Sequence, residues 1–179
     1  FVGDLADQTE CSRLVAAKPD VIFHLAAIVS GEAERDFAKG YRINFDGTRE
    51  LLEQIRLKSP ENYCPKLVFT SSIAVFGAPF PDKIDDTFFA QPLTSYGAQK
   101  AMGELLISDY SRKGFVDGIS LRMPTVCVRP GRPNLAASGF FSNIIREPLV
   151  GQPANLPAAD TVRHWHVSPR SAVGFLTHA

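Results

Sequence analysis

Three apolar runs punctuate the chain: Asp20 to Val29 (DVIFHLAAIV), Lys66 to Thr70 and Ile119 to Val128. A run without polar alternation reads as a strand covered by helices on both faces, since neither face then meets water. Between the runs, amphipathic spacing predicts helices near residues 8–17, 36–58 and 95–113. The last of these closes on Arg112-Lys113-Gly114, a basic final turn followed by glycine where a left-handed cap would sit. Strand and helix alternate, which predicts an α/β fold built on a doubly wound parallel sheet. After Val128 the rhythm breaks at Arg129-Pro-Gly-Arg-Pro-Asn134, a stretch rich in turn formers, before an apolar helix-like segment from Ser138 to Ile145. Residues 1–128 are therefore expected to form the sheet domain and 129–179 the start of a smaller, second one. The polar, proline-bearing stretch from Gly77 to Thr94 is expected to be a long loop, and loops of that length usually serve a site or stay mobile.

Composition narrows this picture. At 179 residues and 45% hydrophobic content, the chain can bury one sizeable core and is not of the disordered class. Its apolar stretches fall short of the roughly 20 residues of a membrane span, so no membrane partner is expected. Cys11, Cys64 and Cys127 are odd in number and far apart, which fits a reducing, cytoplasmic setting better than a disulfide framework. A formal net charge of zero argues against a broad basic surface for nucleic acid. The charge is unevenly spread, however. Residues 1–111 carry 11 basic and 16 acidic side chains, whereas residues 112–179 carry 8 and 3, and every basic residue there except Lys113 is an arginine. The guanidinium fork suits a carboxylate or phosphate, so a small anionic substrate is one reading; scattered surface arginines are the other. His164 and His166 alternate and would share a face of an extended stretch, but with no third ligand in view no metal site is expected.

The chemistry concentrates on Tyr96 and Lys100, four residues apart on a predicted helix and therefore one turn apart on one face. A phenol titrates near 10, too high for a base at neutral pH, but an adjacent ammonium favours the phenolate. Lys100 is expected to supply that charge, so that Tyr96 takes a proton from a substrate hydroxyl. Ser72, just past the strand that ends near Thr70, would hydrogen-bond the reacting oxygen. In a chain of this composition the Tyr-Lys spacing arises by chance about one time in six, so its surroundings must carry the case. Gly97, Ala98, Ala101 and Gly103 make the helix slim, as if something large or flat packs closely against it. His24 reads more simply as a strand-end histidine satisfied within the core.

These residues resemble the extended short-chain dehydrogenase/reductase family, the NAD-dependent epimerase/dehydratase group. Gly3-Asp4-Leu5, His24-Leu-Ala-Ala27, Asn44-Phe-Asp-Gly-Thr48 and Thr70-Ser-Ser-Ile-Ala-Val-Phe-Gly77 followed by Tyr96 and Lys100 fall in the family's order and spacing. The resemblance implies a Rossmann-like domain, NAD as cofactor, and a catalytic group of Ser72, Tyr96 and Lys100. It implies that Asp4 and Leu5 touch adenine, that Ala26 and Ala27 line the ribose and nicotinamide, and that Asn44 supports the site. Lys100 would also hold ribose hydroxyls, and Met123-Pro124-Thr125 would approach the nicotinamide and substrate, with Pro124 on the cofactor side and Thr125 on the substrate side. A homodimer is implied too.

Within the family, Leu93-Thr-Ser-Tyr-Gly-Ala-Gln-Lys100, Cys127-Val-Arg-Pro-Gly131, Gly139-Phe-Phe-Ser142 and Arg163-His-Trp-His-Val-Ser-Pro169 look most like the D-erythronate dehydrogenase branch. That branch implies oxidation of the C2 hydroxyl of a four-carbon sugar acid, with Arg129, Arg132 and Arg163 as candidates for the substrate carboxylate. Phe76 stands where nucleotide-sugar enzymes usually have Tyr, and Ser168-Pro169-Arg170 where they have acidic residues. A nucleotide-sugar epimerase or dehydratase is the alternative, and a non-catalytic dinucleotide-fold module the second. The family's glycine-rich phosphate loop, G-x-x-G-x-x-G, occurs nowhere in the chain. Gly3-Asp4-Leu5 would end a third strand, and the first two strands would lie upstream. The expectation is thus a segment of a longer chain, with the sheet incomplete at both ends and the isolated segment folding poorly.

Overall fold

The computed structural model describes residues 3–85, 87–129 and 135–179. Its centre is a three-stranded parallel sheet in the order β1 (Val21–His24), β2 (Lys66–Ser72), β3 (Asp117–Met123). Val21 pairs with Lys66 and His24 with Phe69, while Lys66 pairs with Asp117 and Ser72 with Met123. Helix α1 (Gln8–Ala16) precedes β1, and its start is fixed by Asp7, whose carboxylate accepts from the backbone N–H groups of Thr9 and Glu10. The short α2 (Ser30–Arg35) and α3 (Phe37–Gly40) lead through a π-helical turn, Tyr41–Asp46, into α4 (Gly47–Lys58). The long helix α5 (Ser95–Arg112) sits between β2 and β3 and starts at Thr94, whose hydroxyl accepts from the Gly97 N–H. It ends as its sequence predicts, with Gly114 at φ +75° in the left-handed region.

The core lies where α1, α4 and α5 meet one face of this sheet. Cys11 and Val15 of α1, Leu51, Leu52 and Ile55 of α4, and Ile107 of α5 pack on Ile22, Leu67 and Phe69. Each such aliphatic side chain contributes about 1.5–3 kcal/mol of burial. Full coverage of every strand on both faces, expected from the apolar runs, holds for the central strand only. Leu67, Val68 and Phe69 are buried, but Val21 and Phe23 of β1 are 45% and 48% exposed. The three core helices share one side, so the alternate residues of β1 find no cover within the described residues. The first run is also shorter as a strand than expected: β1 stops at His24, and Leu25, Ala26 and Ala27 are exposed loop. Gly3 and Asp4 lead through Leu5 into a turn in which the Asp4 carbonyl accepts from the Asp7 N–H, and the strand they were expected to close lies outside the described residues.

Beyond β3 the chain forms a separate two-stranded parallel ladder, β4 (Thr125–Val126) with β5 (His166–Val167). Helix α6 (Phe140–Leu149) lies between the two strands in sequence, and helix α7 (Pro169–His178) follows β5. The stretch 77–94 carries no helix or strand among its described residues, as its composition predicts. No helix among the described residues is long and apolar enough to cross a membrane.

Candidate active site

The C-terminal ends of the three parallel strands point the same way, and in an open α/β sheet that is where ligands bind. There β1 delivers the loop of Ala26 and Ala27, β2 delivers Ser72, and β3 delivers Met123 and Pro124. Helix α5 lies against β2 and β3 and brings Tyr96 and Lys100 to the same end. The approach is close because the helix is slim: a Cβ on Gly97 would stand 2.2 Å from the Ala74 carbonyl oxygen, and one on Gly103 would stand 2.9 Å from the Phe69 ring. The large flat partner expected for this helix is thus Phe69, together with the backbone at Ala74.

Ser72 Oγ accepts from the Ala74 N–H at 3.1 Å, which leaves its own proton to donate to the Tyr96 phenol. Burial of Tyr96 pushes its pKa above the usual phenol value, and the hydrogen bond with Ser72 opposes that shift. This differs from the expectation that the Lys100 charge brings the phenol down. The Lys100 ammonium lies 5.7 Å from the Tyr96 ring centroid and donates instead to the Thr70 carbonyl at 2.7 Å, with the Phe69 ring 4.6 Å away. Burial lowers the Lys100 pKa to about 8, so the amine is still mainly charged at neutral pH. Sequence spacing places both groups on one face; it does not say toward which neighbour the ammonium turns.

Asn44 sits on the π-helical turn, a device that swings a side chain out of the regular helical phase and often marks functional positions. It clamps the loop after β1: its Oδ1 accepts from the Ile28 N–H at 2.8 Å, and its Nδ2 donates to the Ile28 carbonyl at 3.2 Å. The same Nδ2 donates to Gln99 Oε1 at 2.8 Å, and Gln99 is fully buried beside Lys100. Asn44 therefore joins the Ala26–Ala27 loop to helix α5. Thr48, one turn on, donates to the Asn44 carbonyl at 2.8 Å and faces His24 Nε2 at 2.8 Å. With the threonine proton committed, His24 donates from Nε2 and is neutral. Burial and the nearby Lys100 charge hold its pKa down at about 4. The reading of His24 as a core histidine stands for Nε2, while its buried Nδ1 has no partner among the described residues.

The remaining candidates are more dispersed. Asp4 is bound by Arg42 at 2.5 Å and accepts from the Ala6 N–H at 2.9 Å, and the guanidinium holds its carboxyl below the usual range. Leu5 packs against the core rather than standing free. Thr125 Oγ1 lies 3.0 Å from His164 Nε2, a partner that spacing alone did not suggest. His164 and His166 do meet, with ring centroids 5.3 Å apart and both against Phe141. Among the described residues no group of three metal-ligating side chains is assembled. The Arg129 backbone is tied to Ser142 and Arg146, and Arg163 is exposed. Arg132 lies outside the described residues. Two further residues escaped the sequence reading. Gln99 directly precedes Lys100, and Glu104 continues the four-residue spacing of Tyr96 and Lys100, a signal that was available.

Parallel strands whose carboxyl ends gather a serine, a helix-borne Tyr-Lys pair and an asparagine clamp define a Rossmann-type α/β protein. The chain belongs to the NAD dependent epimerase/dehydratase family, whose model matches residues 1–166. It is 51% identical to a D-erythronate dehydrogenase of Cupriavidus necator over 98% of this chain and 53% of that protein. It also matches the crystal structure of a protein described as the nucleoside-diphosphate-sugar epimerase from Agrobacterium tumefaciens. That match has 66% identity and a TM-score of 0.93, covering 99% of this chain and 52% of the other. A UDP-glucose 4-epimerase from Brucella ovis, crystallised in complex with NAD, shares 31% identity at a TM-score of 0.61, over 68% of this chain and 37% of the other. The chain thus spans about half the length of the relatives it matches.

Proposed function

We propose that this chain carries the proton-handling part of an NAD-dependent dehydrogenase that oxidises a sugar acid, with D-erythronate oxidised at C2 as the leading substrate. The observation that carries the reading is the meeting of Ser72, Tyr96 and Lys100 at the carboxyl ends of β2 and β3. The residues present fit a nicotinamide dinucleotide at the same place. Ala26 and Ala27 offer only methyl groups on an exposed loop held in place by Asn44. Lys100 directs one hydrogen bond to Thr70 and has further donors for ribose hydroxyls. Asp4 and Leu5 on the adenine side and Pro124 at the end of β3 complete the proposed cofactor contacts. The cofactor, when bound, supplies the hydride acceptor.

The chain's own groups handle the proton. Ser72 holds the substrate hydroxyl, and Tyr96 takes its proton as the C–H bond breaks. In the structure the phenol is raised and so protonated at neutral pH, which suits the reverse role of proton donor during reduction. To act as acceptor it requires the Lys100 ammonium to turn toward it from the Thr70 carbonyl. Thr125, Arg129 and Arg163 are proposed to meet the substrate's polar end, with the cofactor held by residues 1–128 and the arginines of substrate recognition drawn from residues 129–179. A homodimer is part of the same reading.

A second reading, a nucleotide-sugar epimerase, is favoured by the description of the 66% identical structure. Against it stands Phe76, at the position where nucleotide-sugar enzymes usually carry Tyr. A panel of sugar acids and nucleotide sugars, with NAD reduction followed on the full-length protein, separates the two. Reduction with D-erythronate is expected; conversion of nucleotide sugars alone would overturn the proposal.

A further inference from the structure

We propose that Glu104, clamped by Arg122, is a positioning residue that sets the place of the Ser72 hydroxyl. This rests on the reading of Ser72 and Tyr96 as reacting groups. Glu104 lies on α5 one turn beyond Lys100 and two beyond Tyr96, so the three share a face of the helix. Its carboxylate accepts from Arg122 Nε at 3.1 and 3.2 Å and from Arg122 Nη2 at 2.9 Å. It also accepts a hydrogen bond from the Ser71 hydroxyl. Ser71 and Arg122 are direct partners in the β2–β3 register, so one carboxylate spans both strands and the helix.

The link to Ser72 follows from strand geometry. Successive side chains point to opposite faces of a sheet, so tying Ser71 to α5 fixes the rotation of the backbone that aims Ser72. Ser71 is buried, and the Glu104 side chain is only 13% exposed, a setting in which charge-assisted bonds to a fork donor are strong and directional. The arrangement also reaches outward. The Arg122 guanidinium carbon stands 4.9 Å from the centroid of the Phe76 ring, and Phe76 makes tilted ring contacts with Phe88 at 5.6 Å and Trp165 at 6.2 Å. Trp165 adjoins His164, the partner of Thr125, and its carbonyl accepts from the Thr125 N–H at 3.1 Å. The strut beneath Ser72 therefore also supports the segment that borders the proposed substrate end.

An ion pair that merely knits α5 to the sheet would raise the melting temperature and leave the chemistry alone. The experiment uses the full-length protein with Glu104→Gln, Ser71→Ala, the two combined, and Arg122→Lys. Two readouts are taken: kcat and KM with the sugar acid and NAD, and the ultraviolet titration of the Tyr96 phenol in the absence of substrate. The titration is read as the difference between each variant and the same variant carrying Tyr96→Phe. Glu104→Gln is expected to lower kcat about tenfold with KM values changed less than about twofold, as for a small misplacement of a reacting group. The Tyr96 titration should move upward, because the Ser72 hydrogen bond that favours the phenolate is displaced. The combined variant should be no worse than the poorer single variant, because both changes remove the same support. Arg122→Lys, which keeps the charge but not the fork, should fall between wild type and Glu104→Gln. Wild-type kcat and an unmoved titration in Glu104→Gln, or full additivity with Ser71→Ala, would overturn the proposal. If Glu104→Gln folds poorly, Ser71→Ala carries the same test. If the wild-type protein reduces NAD with no sugar acid, the substrate reading fails, and the titration still decides the role of Glu104.

Discussion

Leu52 and Leu149 sit on helices of similar length, α4 and α6, yet Leu52 is fully buried and Leu149 is 81% exposed. The contrast extends to the regions that contain them. The layer of β1–β3 with α1, α4 and α5 holds a contiguous core, whereas around the β4–β5 ladder Val167 and Ala172 are the only buried apolar side chains among the described residues. The first region holds Ser72, Tyr96 and Lys100 by its own packing. Ties between the second and the first include the Gly31 N–H to the Leu135 carbonyl at 3.1 Å, the Ala137 N–H to Ser30 Oγ at 3.0 Å, Lys66 Nζ to the Ala179 carbonyl at 2.9 Å, and the tilted contact of Phe76 with Trp165. On the proposed function, this division would keep the proton chemistry rigid and let the substrate side be shaped by contacts between segments.

The largest effect should come from the chemistry of the first region. Tyr96→Phe is expected to lower turnover about a thousandfold while leaving NAD affinity near normal, measured by steady-state kinetics and cofactor titration. Retained activity would remove Tyr96 as the proton-handling group. Next comes packing. Leu52→Ala should destabilise by about 3–4 kcal/mol and Leu149→Ala by less than about 0.5 kcal/mol, read from denaturant midpoints. Comparable losses would mean that both helices belong to one core.

The third effect is a pH dependence confined to the first region. His24 titrates near 6.5 when unfolded and about 4 when folded, so between those values the unfolded chain binds the proton and the native one does not. Stability is complete above pH 6.5 and falls as pH drops toward 4, by up to about 3 kcal/mol. The difference between the unfolding free energies of wild type and His24→Asn across that window measures it. A flat difference would place His24 in contact with water. A smaller effect than that at His24 should come from Gly31→Ala. Its Cβ would meet the Leu135 carbonyl oxygen at 2.2 Å, so the tie between regions must open, at about 1–2 kcal/mol. Faster hydrogen exchange at residues 135–137, with the β2 amides unchanged, is the expected signature.

Much of this was readable in the sequence where the signal is local. The span of α5, its glycine cap and the lack of helix or strand among the described residues of 77–94 follow from periodicity and turn residues. The meeting of Ser72 with Tyr96 was foreseen because one ends a buried run and the other opens a helix. What was not readable depends on partners distant in sequence. Ser71 and Arg122 reach Glu104 from 33 and 18 residues away, and Asn44 reaches Gln99 from 55. No spacing rule encodes such pairs. Nor does an apolar run reveal which of its two faces the chain's own helices will cover, which is why Val21 and Phe23 were expected inside.

The π-helical turn at Tyr41–Asp46 acts as a phase shifter. An ordinary helix advances about 100° per residue, so one inserted residue rotates everything before it relative to everything after it. Residues 37–58 can thus run as one rod with two alignments, the far end turned to Leu5 and the α1 core and the near end to Ala33, Gln99 and the Ile28 loop. Deleting a single residue within the turn would restore a regular helix and bring its two ends out of register. The core could then be kept only by letting go of the loop that carries Ala26 and Ala27.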